Sequence, residues 1–306
     1  MMNTENVYEL AGVSLSVRSF YPHTLFPFWK WRLDPYLSRR SDERAPGVSI
    51  VCEGIPEGFG EDRVQRARTK MLDEERNGFF FHQVYRCEEG GILWQMVRAV
   101  DASVWLSWHL NADEDRLTLL EDRTNSIGMA AFNYLGMIMP MVLLKYDILT
   151  LHGVLMDYQG QGVIISAASG TGKTTHARLW RDIEHALIIN GDRTVMKKEE
   201  GHWTGYGLPW SGSSGEQINR SVPIAAVVIL ERGTENQAKE ITGIDAFRRT
   251  MPHVQYPNWD RDKAGKAIDL LSDLISQVPV IRLTCRPDEE SVAVLKSALF
   301  SMKLSL

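Results

Sequence analysis

The chain has 306 residues, of which 44% are hydrophobic and 24% are charged, and its formal net charge is −5. This composition is typical of a soluble globular protein with one large or two modest domains, and the negative charge argues against nucleic acid as the main partner. Cys52, Cys87 and Cys285 are odd in number and isolated, which argues against a disulfide framework or C-x-x-C metal spacing and fits a reducing cytoplasm. The first residues lack a basic segment that leads into an apolar one, so we expect no signal peptide and a cytoplasmic location.

Residues 1–145 predict a β-rich α+β region, to which the sequence assigns no role. Val7–Ser19 alternates like two strands that turn at Gly12, and Gly47–Glu53 predicts a short strand. After residue 77 the hydrophobic period becomes two, which predicts a meander of four strands. These strands are predicted at Phe79–Arg86, Ile92–Val100, Val104–Leu110 and Arg116–Leu120.

Two segments of the same half are unusual in composition. Phe26–Arg32 is aromatic and basic; it could contact a substrate or a membrane surface, but aromatic packing under a loop is the commoner explanation. Glu61–Asn77 is dense in charges of both signs, which predicts a solvated helix. Its inward side would carry Val64, Met71 and Leu72. This helix predicts no catalytic chemistry.

An apolar segment resembles a membrane span. Ile127–Leu144 contains 18 residues without a charge, which is at the lower edge of the length that crosses a bilayer. It also contains Asn133, Gly136 and Pro140, which favour a buried core helix over Ser126–Lys145 that bends or ends near the proline. We therefore expect no membrane association.

The most specific motif is a glycine-rich turn between a predicted strand and a predicted helix. The strand covers Val163–Ser166, and the helix covers Thr174–Asp182. Gly170 and Gly172 allow backbone N–H groups to point inward, and the helix N-terminus adds partial positive charge where an anion would bind. This order of strand, turn and helix is the context that a phosphate-binding loop requires.

The residue types in the turn predict a nucleotide site. Lys173 can reach the β- and γ-phosphates, and the Thr174 hydroxyl can ligate Mg²⁺. The first glycine of the pattern G-x-x-x-x-G-K-[ST] is replaced by Ala167, whose methyl group is tolerable if the residue keeps strand-like dihedral angles. The predicted nucleotide-binding residues are Ser169, Gly170, Thr171, Gly172, Lys173, Thr174 and Thr175.

Residues 146–306 alternate strands with helices, which predicts a sheet-centred α/β nucleotide-binding core. Leu151–Met156 and the phosphate-loop strand form a predicted hairpin that turns at Asp157–Gly162. Further along, Thr242 and Asp245 have capping-box spacing, which predicts the start of a helix. The remaining elements are predicted as strands at Ile224–Glu231 and Val280–Thr284 and as helices at Thr242–Arg249, Lys263–Gln277 and from Pro287 onward.

Several short stretches resemble the catalytic core of HPr kinase/phosphorylase. They are His152-Gly-Val-Leu155, Gly160-x-Gly162, Ser169-Gly-x-Gly-Lys173 and the predicted strand Ala186–Asn190 that delivers Asp192. The stretch Ser169–Thr174 is equally similar to phosphoenolpyruvate carboxykinases, which are structural relatives of that kinase. Asn190-Gly-Asp-Arg193 and Gly207-x-Pro-Trp-x-Gly212 are similar to HPr-kinase-like proteins encoded beside ribosomally made peptides.

The resemblance implies an α/β fold with a β-rich N-terminal region and an HPr kinase/phosphoenolpyruvate carboxykinase-like nucleotide-binding core. It implies ATP and Mg²⁺ as cofactors and a hydroxyl group as phosphate acceptor. HPr kinases carry two adjacent aspartates where this chain has Asp192 followed by Arg193. This departure argues against the phosphorylase, or reverse, activity.

Three residues are candidates for catalysis. Lys173 would neutralise phosphate charge, and Asp192 could either ligate Mg²⁺ together with Thr174 or accept the hydroxyl proton. The alternative for Asp192 is a turn-capping residue after a strand. His152 is expected on a strand next to the phosphate-loop strand, where it could handle a proton beside Asp192 or be a hydrogen-bonded core residue.

A second group of residues could contact the substrate or close over it. Arg193 could pair with phosphate or with a surface acid, and Glu231 could supply a second acid near the metal. The loop Gly201–Gly215, rich in glycine and aromatic residues, could form a lid, with ordinary loop packing as the alternative. Its candidate residues are Tyr206, Trp210 and Ser211.

The leading hypothesis is an ATP-dependent, Mg²⁺-requiring kinase that phosphorylates a serine or threonine hydroxyl on a peptide or small protein. One alternative keeps this chemistry and changes the acceptor to a small metabolite. Another is a nucleotide-binding regulator without turnover. We expect neither nucleic acid nor membrane as a partner, and the sequence leaves a homo-oligomer open.

Overall fold

The computed structural model describes residues 4–19, 26–38, 47–52, 68–124, 126 and 128–301. The chain divides into two compact units, Met1–Ile138 and Met139–Leu306. The first unit is β-rich and the second mixes strands with helices, so the predicted α/β class with a β-rich N-terminal region is confirmed. The domain boundary predicted between residues 145 and 146 stays a prediction.

The first unit contains one sheet with eight strands among the described residues. Ala11 and Gly12 have positive φ and close the predicted N-terminal hairpin. The spatial order is β1-β2-β3-β8-β7-β6-β5-β4, in which β3 pairs in parallel with both β2 and β8 and the other neighbours are antiparallel. The strands are β1 Thr4–Leu10, β2 Val13–Ser19, β3 Gly47–Cys52, β4 Arg68–Asn77, β5 Phe80–Cys87, β6 Ile92–Arg98, β7 Val104–Leu110 and β8 Arg116–Asp122.

The aromatic segment near the N-terminus forms helix α1, Phe26–Leu33. Trp29 is buried, and its ring packs against Trp108 and Phe132 with centroid separations of 6.1 and 5.3 Å. Trp31, on the other side of the helix, is 67% exposed. Aromatic packing is therefore the correct interpretation of this segment, but the residues form a helix and not a loop.

The helix predicted at Glu61–Asn77 is wrong where the structure describes it. Residues 68–77 form the edge strand β4, which pairs with β5, and residues 61–67, with Val64, lie outside the described residues. Met71, predicted to face inward, is 46% exposed. An edge strand with both faces in solvent shows no alternation of apolar residues, and its charges discourage pairing with other chains, so its sequence imitates a solvated helix.

The apolar segment forms helix α2, Met129–Leu143, which contains Pro140 and is followed by a 3₁₀ turn at Leu144–Tyr146. The helix thus continues one turn beyond the proline. Met129–Tyr146 is the one segment of the described residues that is long and apolar enough to cross a membrane, and 61% of it is buried within the protein. A core helix passes the same test of length and composition, and the burial favours that interpretation.

The core-helix interpretation predicts how the purified chain behaves. Without detergent, the full chain should elute from size exclusion as one sharp species, because most of the segment Met129–Tyr146 is covered by the protein itself. Cell fractionation is the matching measurement. Recovery of the chain with the membrane pellet after a high-salt wash would contradict the interpretation.

The second unit is built on strands that form a closed circuit of pairings. The spatial order is β10-β9-β12-β13-β14-β16-β15, and β10 also pairs with β14. β14 runs parallel to β10 and β16, whereas the other pairs are antiparallel. The strands are β9 Leu149–Tyr158, β10 Gln161–Ser166, β11 Leu187–Asn190, β12 Arg193–Glu199, β13 His202–Tyr206, β14 Ser221–Arg232, β15 Gln237–Ile241 and β16 Val280–Cys285.

Two hydrophobic clusters cover the two sides of this sheet. The middle of β14 is apolar because it contributes to both: Val227 and Ile229 enter one cluster, and Ala226, Val228 and Leu230 enter the other. The helices that complete these clusters are α3 Lys173–Glu184, α4 Gly243–Thr250, α5 Arg261–Gln277 and α6 Glu289–Ser301.

One local prediction for this unit is confirmed only in the position of the helix, and another is wrong. Thr242 precedes α4 as predicted, but its side chain makes no capping hydrogen bond. The loop predicted over residues 201–215 begins with strand β13, in which Trp203 is buried and pairs across to Lys198 of β12. Gly205 inside this strand, and Gly201 and Gly207 beside it, hid its alternation from the sequence pattern.

Candidate functional site

The phosphate loop connects β10 to α3. Gly170 and Gly172 have φ values of +74° and +124°, which side-chain-bearing residues rarely adopt, so both positions require glycine. Ala167 is buried and is not among the described residues with positive φ. The methyl group in place of the first glycine of the motif is therefore accommodated, as the sequence predicted.

Lys173 lies at the start of α3 and turns back into this loop. Its Nζ donates hydrogen bonds to the carbonyl oxygens of Ala167, at 3.0 Å, and Ala168, at 3.5 Å, and the residue is 8% exposed. Burial lowers the pKa of Lys173, and the negative charge of Asp192 opposes this shift. The ammonium group thus lies in the concave side of the loop, within electrostatic range of Asp192.

The predicted strand before Asp192 is followed by a second strand, and Asp192 lies between the two. β11 and β12 both pair with β9, with a register shift between Ile188 and Asn190. The register skips Gly191 and Asp192 and resumes at Arg193, which lies opposite His152, while the Asp192 carbonyl still accepts from the Gly153 N–H at 2.9 Å. Such an irregularity turns a side chain out of the ladder, and here it presents Asp192 between the end of β11 and the start of β12.

Asn190 fixes this interruption, and sequence reasoning gave it no role. It is fully buried, and its Oδ1 accepts hydrogen bonds from the backbone N–H groups of Asp192 and Arg193 at 3.0 and 2.9 Å. Its Nδ2 donates to the carbonyl oxygens of Leu208 and Trp210, each at 3.1 Å. One amide therefore holds both the Asp192 turn and the following loop.

The Asp192 carboxylate lies between a histidine and an arginine. Its Oδ1 is 3.5 Å from His152 Nε2, and its Oδ2 is 3.6 Å from Arg193 Nε. The pKa of Asp192 is lowered, mainly by its hydrogen bond with His152 and further by the positive charges of Arg193 and Lys173, although burial opposes this. Asp192 is therefore ionised at neutral pH, with His152 beside it as the sequence predicted.

A second histidine of this neighbourhood was missed. His253 ends the 3₁₀ turn Met251–His253, and the next residues run along β9, where the Gln255 N–H donates to the Thr150 carbonyl at 2.9 Å. Burial lowers the pKa of His253, and the charges of His152 and Lys173 lower it further. Only the tertiary structure brings His253 here, because 100 residues separate it from His152 in the sequence.

A pocket of about 360 Å³ lies on the other side of the phosphate loop, at the carboxyl ends of β14 and β16. Arg232, at the end of β14, donates from Nε to the Thr171 carbonyl at 3.2 Å and from Nη2 to the Gly170 carbonyl. Crevices at the carboxyl ends of parallel strands are where α/β sheets bind ligands. Glu231 also lines the pocket, and its carboxylate is paired with Arg249.

The remaining predicted residues are placed as follows. Ser169 and Thr175 are exposed on the loop and at the start of α3, and Thr174 is half-buried between them. Tyr206 lies in β13, where its hydroxyl donates to Glu199. Trp210 and Ser211 are buried, which favours ordinary packing over an open lid for this part of the loop.

Gly212, two residues after Trp210, closes this loop against Asp192. Its φ is +56°, and a Cβ built on it would come within 2.5 Å of the Asp192 Cγ. The loop backbone therefore packs directly on the candidate catalytic carboxylate. This contact gives a physical reason for a glycine at the end of the Gly207–Gly212 stretch.

The oxygen ligands near the phosphate loop fit a magnesium ion that is bound together with phosphates. Within the described residues no group of three or more His, Cys, Asp or Glu side chains could hold a metal ion alone. Asp192 and Thr174 supply one carboxylate and one hydroxyl, both oxygen ligands. Mg²⁺ typically binds through one or two carboxylates plus substrate phosphates, so a nucleotide would complete such a set.

His176, in α3, makes the site sensitive to acid. The residue is 2% exposed, and neither ring nitrogen has a hydrogen-bond partner among the described residues. Burial lowers the pKa of His176 from 6.5 to about 4, although the charge of Asp288 opposes this. Between these two values the unfolded chain binds a proton that the folded chain excludes, so stability is complete above pH 6.5 and is lost as the pH falls towards 4.

From this shift we expect the free energy of unfolding to fall by about 2 kcal/mol between roughly pH 7.5 and 5 because of His176 alone. Urea unfolding at the two pH values measures it. His176→Gln should remove this part of the pH dependence, whereas His202→Gln, at an exposed position of β13, should leave it unchanged. Equal pH dependence in wild type and His176→Gln would contradict the assignment.

Comparisons with known proteins point to one kinase family. The chain is 26% identical over 161 residues to the HPr kinase/phosphorylase of Brevibacillus brevis, which covers 51% of this chain and 48% of that protein. It is 27% identical over 157 residues to that of a Thermoanaerobacter species, covering 49% and 47%. The match to the Listeria welshimeri protein is 25% over 167 residues, covering 51% and 48%. The chain thus spans about half the length of the curated relatives it matches.

A family model described as SynChlorMet cassette protein ScmC matches residues 117–261. Among solved structures, the Hpr(Ser) kinase/phosphatase from Coxiella burnetii aligns with a TM-score of 0.30 and 10% sequence identity, covering 50% of this chain and 98% of that chain. At this TM-score the alignment adds nothing to the similarity in sequence. About half of this chain is similar to HPr kinase/phosphorylases, as its motifs predicted. The stretch that matches the ScmC model contains His152, the phosphate loop and Asp192.

Proposed function

We propose that this protein is an ATP-dependent kinase that transfers the γ-phosphoryl group to a serine or threonine hydroxyl of a peptide or small protein. The observation that carries the proposal is the ionised carboxylate of Asp192, held beside His152 and within electrostatic range of Lys173 on the phosphate loop. The similarity to HPr kinase/phosphorylases supports the same chemistry.

The two sides of the loop suggest how the substrates would bind. The phosphates would occupy the loop, where Lys173 and the N-terminus of α3 supply positive charge. The nucleoside would enter the pocket beside Arg232, and the acceptor would approach from the side of β9 and β12, where Asp192 and His152 lie. Thr174 and Asp192 would hold Mg²⁺, which would supply positive charge against the phosphates.

Asp192 is suited to two roles, which compete for one carboxylate. As a base it would accept the proton of the attacking hydroxyl, as the catalytic aspartate of protein kinases does. As a ligand it would hold Mg²⁺ with Thr174. The small-metabolite kinase keeps both roles and changes only the acceptor, whereas a non-catalytic regulator would need neither.

Acceptor-dependent ATP consumption tests the proposal. The full chain is incubated with Mg²⁺, ATP and a library of serine- and threonine-containing peptides, and mass spectrometry locates the phosphate. Phosphorylated peptide is the expected product. ATP consumption only with small hydroxyl compounds would replace the peptide acceptor, and ATP binding without turnover under any condition would favour the regulator.

A further inference from the structure

One arginine in the second unit is largely buried, and one of its donor groups lacks a hydrogen bond. The Arg193 side chain is 15% exposed, and its Nε is buried with no hydrogen-bond partner in the part of the chain that the structure describes. Its nearest anionic atom is Asp192 Oδ2, at 3.6 Å, which is an ion pair beyond hydrogen-bond distance. Burial lowers the pKa of Arg193, and Asp192 counters this shift only in part.

Two other arginines of this unit donate hydrogen bonds to carboxylates. Arg249 donates to Asp245 at 3.0 Å and also to Glu231, and Arg181 donates to Glu216 at 3.0 Å. Their side chains are 32% and 46% exposed. Arg193 is the more deeply buried cation and has the weaker protein contact, which is costly unless an anion satisfies its donors.

Among the described residues, Asp192 is the one negative charge that acts on Arg193. Asp192 is shared with His152, whose Nε2 is 3.5 Å from its other carboxylate oxygen, and Lys173 acts on the same carboxylate. His253 adds a second imidazole to the group. One carboxylate therefore faces Arg193, Lys173 and His152, so an added anion would balance the positive charge of this group.

The sheet register indicates which anion that is. Ser166, at the end of β10, lies opposite Gly153 of β9, and the neighbouring His152 lies opposite Arg193 of β12. Neighbouring strands are about 4.8 Å apart, so the phosphate-loop strand and Arg193 flank β9 at a backbone separation of about 10 Å. The terminal phosphoryl group of a nucleotide on the loop would lie over the end of β9, within reach of the Arg193 side chain and on the same side as Asp192.

We propose that Arg193 binds the phosphoryl group while it is transferred, as an arginine finger supplied by the same chain; this inference rests on the proposed kinase function. The bond from the γ-phosphorus to the ADP oxygen breaks as the bond to the acceptor oxygen forms, and the hydroxyl proton leaves to Asp192. The Arg193 N–H groups donate to the equatorial oxygens of the phosphoryl group, where negative charge is spread in the transition state.

The test uses a mimic of the transferring group and needs no acceptor. ADP with Mg²⁺ is titrated into the full chain in the presence and absence of aluminium fluoride, which forms a planar analogue of the phosphoryl group. In the wild type, aluminium fluoride should tighten ADP binding by about 10²-fold or more. Arg193→Gln should bind ADP alone within about threefold of the wild type but lose the added affinity.

Two variants separate this role from a structural one. Arg193→Lys keeps the positive charge but not the planar fork, so it should recover little of the added affinity. Arg181→Gln, which removes an exposed arginine at the far end of α3, should behave like the wild type. Thermal midpoints are measured for all variants, and if Arg193→Gln does not fold, Arg193→Lys decides the question.

The outcomes distinguish this inference from the proposed function. If the wild type binds neither ADP nor ATP, the kinase proposal fails and the inference falls with it. If the wild type binds ADP but gains nothing from aluminium fluoride, or if Arg193→Gln keeps the gain, the inference alone is overturned. A parallel loss of ADP affinity and thermal stability in Arg193→Gln would make the residue structural and would also overturn it.

Discussion

Replacing Asp192 with asparagine is expected to lower phosphoryl transfer by about 10²–10⁴-fold while ATP affinity stays within about tenfold of the wild type. The substitution is nearly isosteric, but it removes the charge and the ability to take up a proton. Lys173 and the loop backbone, which would contact the phosphates, are unchanged. Turnover, ATP affinity and thermal midpoint are measured on the same preparation.

The structure adds two controls to this experiment. Asp182→Asn removes an exposed carboxylate at the other end of α3 and should leave turnover unchanged. The Mg²⁺ dependence of the residual Asp192→Asn activity separates the two roles, because loss of a metal ligand raises the Mg²⁺ concentration required and loss of a base does not. Near-normal turnover in folded Asp192→Asn would move the base elsewhere, and Glu231 is the next candidate.

Glu231 differs from Asp192 in its surroundings. It lines the pocket on the other side of the phosphate loop, and its carboxylate is paired with Arg249. A base at that position would have to leave this ion pair and approach the acceptor from the β14 side. The geometry therefore favours Asp192.

Replacing Lys173 with alanine is expected to weaken ATP binding by about 1.5–3 kcal/mol, the scale of a lost charge-assisted hydrogen bond to the β- and γ-phosphates. This corresponds to an increase of about 10–150-fold in the dissociation constant. Calorimetric titration with ATP measures it. Equal affinity in wild type and variant would end the argument that this turn binds phosphate.

Lys173 also contacts other residues of the protein, so the effect of its loss on stability must be measured separately from the effect on ATP affinity. Its Nζ donates to the carbonyl oxygens of Ala167 and Ala168, so its loss also frees two loop carbonyls. Lys198→Ala removes an exposed lysine that pairs with Asp273 and is the matched control for loss of a positive charge. A fall in ATP affinity without a comparable fall in thermal midpoint would assign the effect to the phosphate contact.

Local patterns determined part of this protein in advance. The N-terminal hairpin, the meander and the strand, turn and helix of the phosphate loop are recognisable because their signals lie within a few residues: alternation of apolar side chains, and glycines where φ must be positive. The similarity to HPr kinase/phosphorylases was also visible, because it depends on short contiguous motifs. Asp192 and His152 could be named for the same reason.

Contacts between residues that are far apart in the sequence could be seen only in the tertiary structure. Residues 68–77 read as a helix because charges on both faces carry no strand period, and only pairing with β5 made them an edge strand. Arg232 and His253 have no motif around them; strand order and a turn against β9 bring them to the phosphate loop and to His152. The sequence could name the chemical groups of the site, but burial, register and charge balance, which arise from packing, decided what surrounds each of them.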